Sequence, residues 1–145
     1  MKILINVAAI FTLVILNSSC STNQGLMKSK EGAYEIIINK SSSDKDPVIS
    51  GHVYEFGTKN PVLAAFVWND KHYDVKTQVD LKGRFSYATK PGKYKTYASF
   101  VGFRPSLTKS FVASKGDTVF IDFYLKLDTS GFPDPVIKAR KSLKK

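Results

Sequence analysis

The sequence predicts an all-β domain, a sandwich or barrel of short strands, on three grounds. From Val48 to Leu127 apolar and polar residues alternate with a period of two, the spacing of a half-buried strand. Turn-forming clusters separate the alternating runs at intervals typical of all-β folds. No helical stripe of comparable strength interrupts them.

Each element follows from its residues. Val119, Ile121, Phe123 and Leu125 alternate with Phe120, Asp122, Tyr124 and Lys126, which makes 119–126 the clearest strand. Phe85 and Tyr87 repeat the pattern around Ser86, and Tyr94, Thr96, Ala98 and Phe100 alternate with Lys95, Tyr97 and Ser99. Between them lie Gly57-Thr58-Lys59-Asn60-Pro61, Asn69-Asp70, Lys82-Gly83, Lys90-Pro91-Gly92 and Lys115-Gly116-Asp117, rich in residues that favour turns.

The segments on either side have other compositions. Met1-Lys2 followed by the 14-residue run Ile3 to Leu16 and the small residues Asn17-Ser18-Ser19 has the layout of a secretory signal peptide. The run is short of the ~20 residues a membrane-spanning helix needs. Cys20, the one cysteine of the chain, stands at the cut site, so no disulfide can form within the chain. Residues 1–19 are therefore expected to be a signal, and 20–46 a polar tether, with Tyr34 to Asn39 an apolar island that could add a strand. Residues 47–127 are the sandwich. Residues 128–145 form a basic tail with Lys138, Arg140, Lys141, Lys144 and Lys145 and no acid among the last eight residues. Cleavage after residue 19 removes one lysine and leaves 21 basic against 12 acidic side chains.

Leu16-Asn17-Ser18-Ser19-Cys20 resembles the lipobox of bacterial lipoproteins, in which the cysteine is acylated and becomes the new N-terminus. That resemblance implies a protein of the bacterial envelope, anchored by lipid at the outer membrane. Within the sandwich, Ile49-Ser50-Gly51-His52-Val53, Pro61-Val62-Leu63-Ala64-Ala65-Phe66-Val67, Thr77 to Phe85, Pro91-Gly92-Lys93-Tyr94 and Ser99-Phe100-Val101-Gly102-Phe103 come in the order of the motifs of carboxypeptidase regulatory-like domains, with Ala64 where glycine is usual. The resemblance implies a seven-stranded transthyretin-like (prealbumin-like) β-sandwich. Domains of this family occur as accessory modules on secreted carboxypeptidases and at the N-termini of outer-membrane receptors. They share a fold rather than one activity.

Candidate chemistry is sparse. His52-Val53-Tyr54-Glu55, with His72 downstream, has the letters of a zinc carboxypeptidase motif. Positions 52 and 55 of a strand face opposite ways, however, so no metal is expected. Transthyretin-like hydrolases carry a C-terminal Y-R-G-S motif, and this chain ends Ser142-Leu143-Lys144-Lys145. No nucleophile–base pair assembles from the residues at hand, so the expectation is a protein that is not an enzyme and needs no cofactor.

Phe66, Trp68, Tyr97, Phe120 and Tyr124 fall on outward registers. They could stack sugars, anchor a protein partner, or pack against one another across strands. The basic tail suits anionic lipid headgroups, a partner's acidic face or plain solvation. Nucleic acid is not expected, since export removes the chain from most of it and no base-stacking motif accompanies the lysines. The reading is a non-catalytic module that binds or assembles an envelope protein or a glycan. Its rivals are a small transthyretin-like enzyme and a structural spacer.

Overall fold

The computed structural model describes residues 21–28, 32–70 and 75–130. Among them the chain forms β1 (Ser21–Lys28), β2 (Gly32–Asn39), β3 (Val48–Glu55), β4 (Phe66–Asn69), β5 (Thr77–Gln78), β6 (Arg84–Ala88), β7 (Gly92–Tyr94), β8 (Thr96–Ser99), β9 (Ser106–Leu107), β10 (Phe111–Ala113) and β11 (Thr118–Leu125), with no helix. The fold is all-β. One sheet has the order β1-β2-β11-β3-β6, a second β5-β4-β8-β9, and β7 pairs with β10 as a separate ribbon. Every pairing is antiparallel except β11 with β3.

The core lies between the inner faces. β11 contributes Val119, Ile121, Phe123 and Leu125, β3 contributes Ile49 and Val53, and β6 contributes Phe85. Val67, Ala98, Tyr94 and Phe111 close it from the other side. The alternation read from 119–126 is thus the alternation of the central strand of the larger sheet.

Two expectations need correction. Segment 20–46 is not simply a polar tether: β2 lies between β1 and β11, and Tyr34, Ile36 and Ile38 belong to the core. A six-residue apolar island is enough for a strand when both its edges are paired and one face is covered. The count of seven strands gives way to eleven among the described residues. β1 and β2 are added ahead of Pro47. The run 94–100 also bends at Lys95, so that β7 pairs with β10 while β8 pairs with β4 and β9.

Two turns explain their sequences. Asp80 Oδ1 accepts hydrogen bonds from the backbone N–H groups of Lys82 (2.8 Å) and Arg84 (2.9 Å), and its other oxygen takes the Arg84 guanidinium. Those bonds hold the Asp80 carboxyl below its ordinary range, the Arg84 N–H contributing most. Gly83 completes the turn at φ 73°, where an added Cβ would meet the Val53 carbonyl oxygen at 2.9 Å.

Ala64 is the other strained point. It has φ 59°, and it is the one non-glycine residue with positive φ among those described. It stands where the resembled motif has glycine. The left-handed region costs an L-residue about 1–2 kcal/mol. Ala64→Gly removes this at a cost of about 0.4–1 kcal/mol in the unfolded chain. The variant is expected to raise the urea midpoint, through a net stabilisation of roughly 0–1.6 kcal/mol. A lowered midpoint would show that the Ala64 methyl packs well enough to outweigh its backbone strain.

Candidate functional site

The outward aromatics divide between two surfaces. On the four-stranded sheet, β4 presents Phe66 and Trp68, and β8 presents Tyr97 and Ser99. Trp68 pairs with Tyr97 across the strands, and Phe66 with Ser99. The Trp68 and Tyr97 rings are stacked nearly parallel, 5.4 Å apart at 5°. Lys76 Nζ lies over the Trp68 ring, 5.0 Å from its centroid. β5, which Lys76 precedes, flanks β4 on the side away from β8. Trp68 is therefore engaged by both a phenol ring and an ammonium group. A shallow depression continues from these rings over Phe100, Val101 and Pro105. Phe66 is 41% exposed and Val101 89%.

Phe120 and Tyr124 lie on the outer face of the other sheet. β2 runs beside β11 in register, with Ile37 opposite Phe120, so residues 34–39 extend this face rather than cover it. Phe120 remains 42% exposed. Further along, His52, Tyr54 and Tyr124 stack in series, with centroids 5.3 and 5.8 Å apart. Asp122 Oδ1 accepts the His52 backbone N–H at 3.0 Å and lies 3.0 Å from His52 Nδ1. The Tyr124 hydroxyl meets Glu35 Oε2 at 3.4 Å. Burial first, then the negative charges of Glu35 and Asp122, push the Tyr124 phenol up to about 12. Burial and Asp122 also push Tyr54 upward. Both phenols stay protonated near neutral pH. They can donate hydrogen bonds but are not primed as nucleophiles.

The alternation of β3 turns His52 outward and Glu55 to the opposite register. Among the described residues no three His, Cys, Asp or Glu side chains come together in a way that could hold a metal ion. Cys20, His72 and the tail residues Lys138, Arg140, Lys141, Lys144 and Lys145 lie outside the described residues.

A third feature had no counterpart in the sequence reading. Asn69 closes β4 inside the sandwich. Its Oδ1 accepts from the Tyr87 hydroxyl of β6 at 2.9 Å and from Thr96 Oγ1 of β8 at 2.8 Å. The Thr96 backbone N–H in turn donates to Thr108 Oγ1 at 3.0 Å. Burial pushes the Tyr87 phenol far above its ordinary value, so it remains a donor to Asn69. In the sequence Asn69-Asp70 reads as a turn. The signal that could have marked it is its position: the inward register of Ala65 and Val67, continued by two residues, places a carboxamide in the core.

No protein-family model matches the chain, and no curated protein matches it significantly.

Proposed function

We propose that the chain is a lipid-anchored protein of the bacterial envelope whose sandwich acts as a non-catalytic module and docks a protein partner on the outer face of its four-stranded sheet. The observation that carries this reading is the setting of Trp68 between Tyr97 and Lys76, beside exposed Phe66 and Val101. A sugar ring needs the free face of an aromatic side chain. The Trp68 ring is already engaged by Tyr97 and Lys76, and what the surface offers is a rigidly held aromatic group with apolar neighbours. That combination suits the centre of a protein–protein contact, where buried aromatic anchors supply most of the binding energy.

The order of the motifs along 48–127 supports a carboxypeptidase regulatory-like, transthyretin-like module, which elsewhere accompanies a larger protein. The lipobox-like sequence supports an anchor at the outer membrane. Cys20 directly precedes β1, and Ser21 pairs with Asn39, which pairs with Thr118. Acylation of Cys20 would hold this end of the sheet at the bilayer without a spacer.

Photo-crosslinking in intact cells tests the reading. A photoreactive phenylalanine analogue in place of Val101 is expected to yield one dominant protein adduct in the membrane fraction. The same analogue in place of Ser86, on the opposite sheet, should yield none. Phe66→Ala should reduce the adduct about tenfold or more, the effect of losing a hot-spot side chain worth about 2 kcal/mol. Cys20→Ala should move the chain out of the membrane fraction. Adducts with polysaccharide, or from position 86 alone, would overturn the docking reading. A Cys20→Ala chain that stays in the membrane would overturn the anchor.

A further inference from the structure

We propose that the cleft floored by Asn69 is a binding site for a small acyl compound, one that presents a carbonyl or carboxylate oxygen on a short apolar chain. The inference starts from what the Asn69 carboxamide has left to give. The residue is 2% exposed. Its oxygen already accepts two hydrogen bonds, from Tyr87 and Thr96, which fills both lone pairs. Its nitrogen carries two N–H donors and has no acceptor among the described residues. Among the described residues no sealed side-chain nitrogen or oxygen is without a partner. Asn69 Nδ2 is therefore not sealed off, and the space that Asn69 borders is the cleft of ≈ 260 Å³ that it lines together with Val75, Tyr87, Ala88 and Thr89.

The chemistry of the walls narrows the occupant. Two N–H donors at depth call for an acceptor oxygen, which excludes an amine as the buried end. Val75, Ala88 and the ring of Tyr87 favour an apolar body behind that oxygen. At the mouth, Lys90 Nζ is neutralised by Asp46 at 2.8 Å, so the rim carries a balanced pair rather than an open positive charge. The donor is also held rigidly. Asn69 is pinned from β6 in one sheet and β8 in the other, so its nitrogen is aimed before any ligand arrives, which limits the entropy lost on binding. Water could satisfy the donors, but the cleft has room for several molecules, and those along its apolar walls would be poorly held. Replacing such water with an apolar chain is favourable. This site is independent of the docking face, because it uses none of Phe66, Trp68, Tyr97 or Val101.

Butyramide and butyrate serve as probes, with butylamine as the control, in titrations of the ¹⁵N-labelled chain. The signal to follow is the Asn69 side-chain NH₂ pair, identified by its disappearance in Asn69→Asp. Either acyl probe should shift that pair saturably, together with the backbone amides of Ala88 and Thr89. Fragments of about six heavy atoms are expected to bind in the millimolar range. Butyrate ahead of butyramide would identify an acid ligand, and the reverse order an amide or ketone; both support the site. Asn69→Asp keeps the acceptors for Tyr87 and Thr96 but removes the donors, and binding should fall at least tenfold. Thr89→Phe, which fills the mouth without touching Asn69, should also abolish binding, and it serves if the aspartate variant fails to fold. An unmoved Asn69 NH₂ signal at tens of millimolar probe would overturn the proposal. So would equal shifts with butylamine, which would reflect an apolar crevice with no use for the donors.

Discussion

Gly51→Ala is expected to leave the chain unfolded. Gly51 lies on β3 opposite Ile121 of β11, in the one parallel pairing of the sheet. An added Cβ would lie 1.9 Å from the Ile121 carbonyl oxygen, 2.6 Å from its carbon and 2.9 Å from its nitrogen. All three atoms are backbone, so no rotamer change relieves the clash. Backbone movement is blocked as well, since β11 is paired along its length with β2 on one side and β3 on the other. Gly51 also has φ 152°, at the margin of what side-chain-bearing residues adopt. Ordinary overpacking costs about 1–3 kcal/mol. A clash with a doubly paired central strand should exceed that and approach the roughly 5–15 kcal/mol by which a domain is stable. Gly25→Ala is the control. Nothing among the described residues lies within 4 Å of its added Cβ, and the change should stay within about 0.5 kcal/mol. Urea unfolding followed by circular dichroism compares the two. A folded Gly51→Ala chain with the native midpoint would mean that β3 and β11 do not approach as described.

Gly51 also marks how far the sequence could be read. As a letter in a strand motif it was visible at once. The reason for the glycine was not, because Ile121 is 70 residues away and nothing local announces a parallel neighbour. Local devices fared better. The Asp80–Gly83 turn works through bonds within four residues, and the facing of β11 follows from strict alternation along one strand. β2 was ambiguous for the opposite reason. Tyr34 to Asn39 is flanked by polar residues, and whether it is a loop or a central strand depends on β11 far along the chain. The site divides in the same way. Alternation told that Trp68 faces out, but its contact with Lys76 depends on a residue reaching over from the start of β5. Asn69 was read as a turn residue because its partners, Tyr87 and Thr96, come from two different sheets.

Deleting residues 1–46 is expected to abolish folding, whereas deleting residues 1–20 is not. The longer deletion removes β1 and β2, which a reading of 20–46 as a tether would count as dispensable. Tyr34, Ile36 and Ile38 are all in the core. Burial of each side chain is worth about 1.5–3 kcal/mol, so the three together account for roughly 5–9 kcal/mol. Specific bonds go with them. The Tyr34 hydroxyl accepts the Lys109 backbone N–H at 2.8 Å, and Lys40 Nζ pairs with the buried Asp117 carboxylate at 2.6 Å. Without Lys40 that carboxylate keeps only the Ser114 backbone N–H (2.8 Å) as a partner among the described residues, a costly position for a buried charge. The edge of β11 would also be bared over eight residues, an invitation to aggregation. The sum rivals the entire stability of a small domain. Chains 21–130 and 47–130 can be compared by urea melts and amide dispersion. The first should unfold cooperatively, and the second should show no transition. A synthetic peptide of residues 21–46 added to the second should restore dispersed amide signals, because β1 and β2 return together and β2 can pair again with the bared edge of β11 in trans. Cooperative unfolding of 47–130 alone, at the midpoint of the longer chain, would return residues 20–46 to the role of a tether.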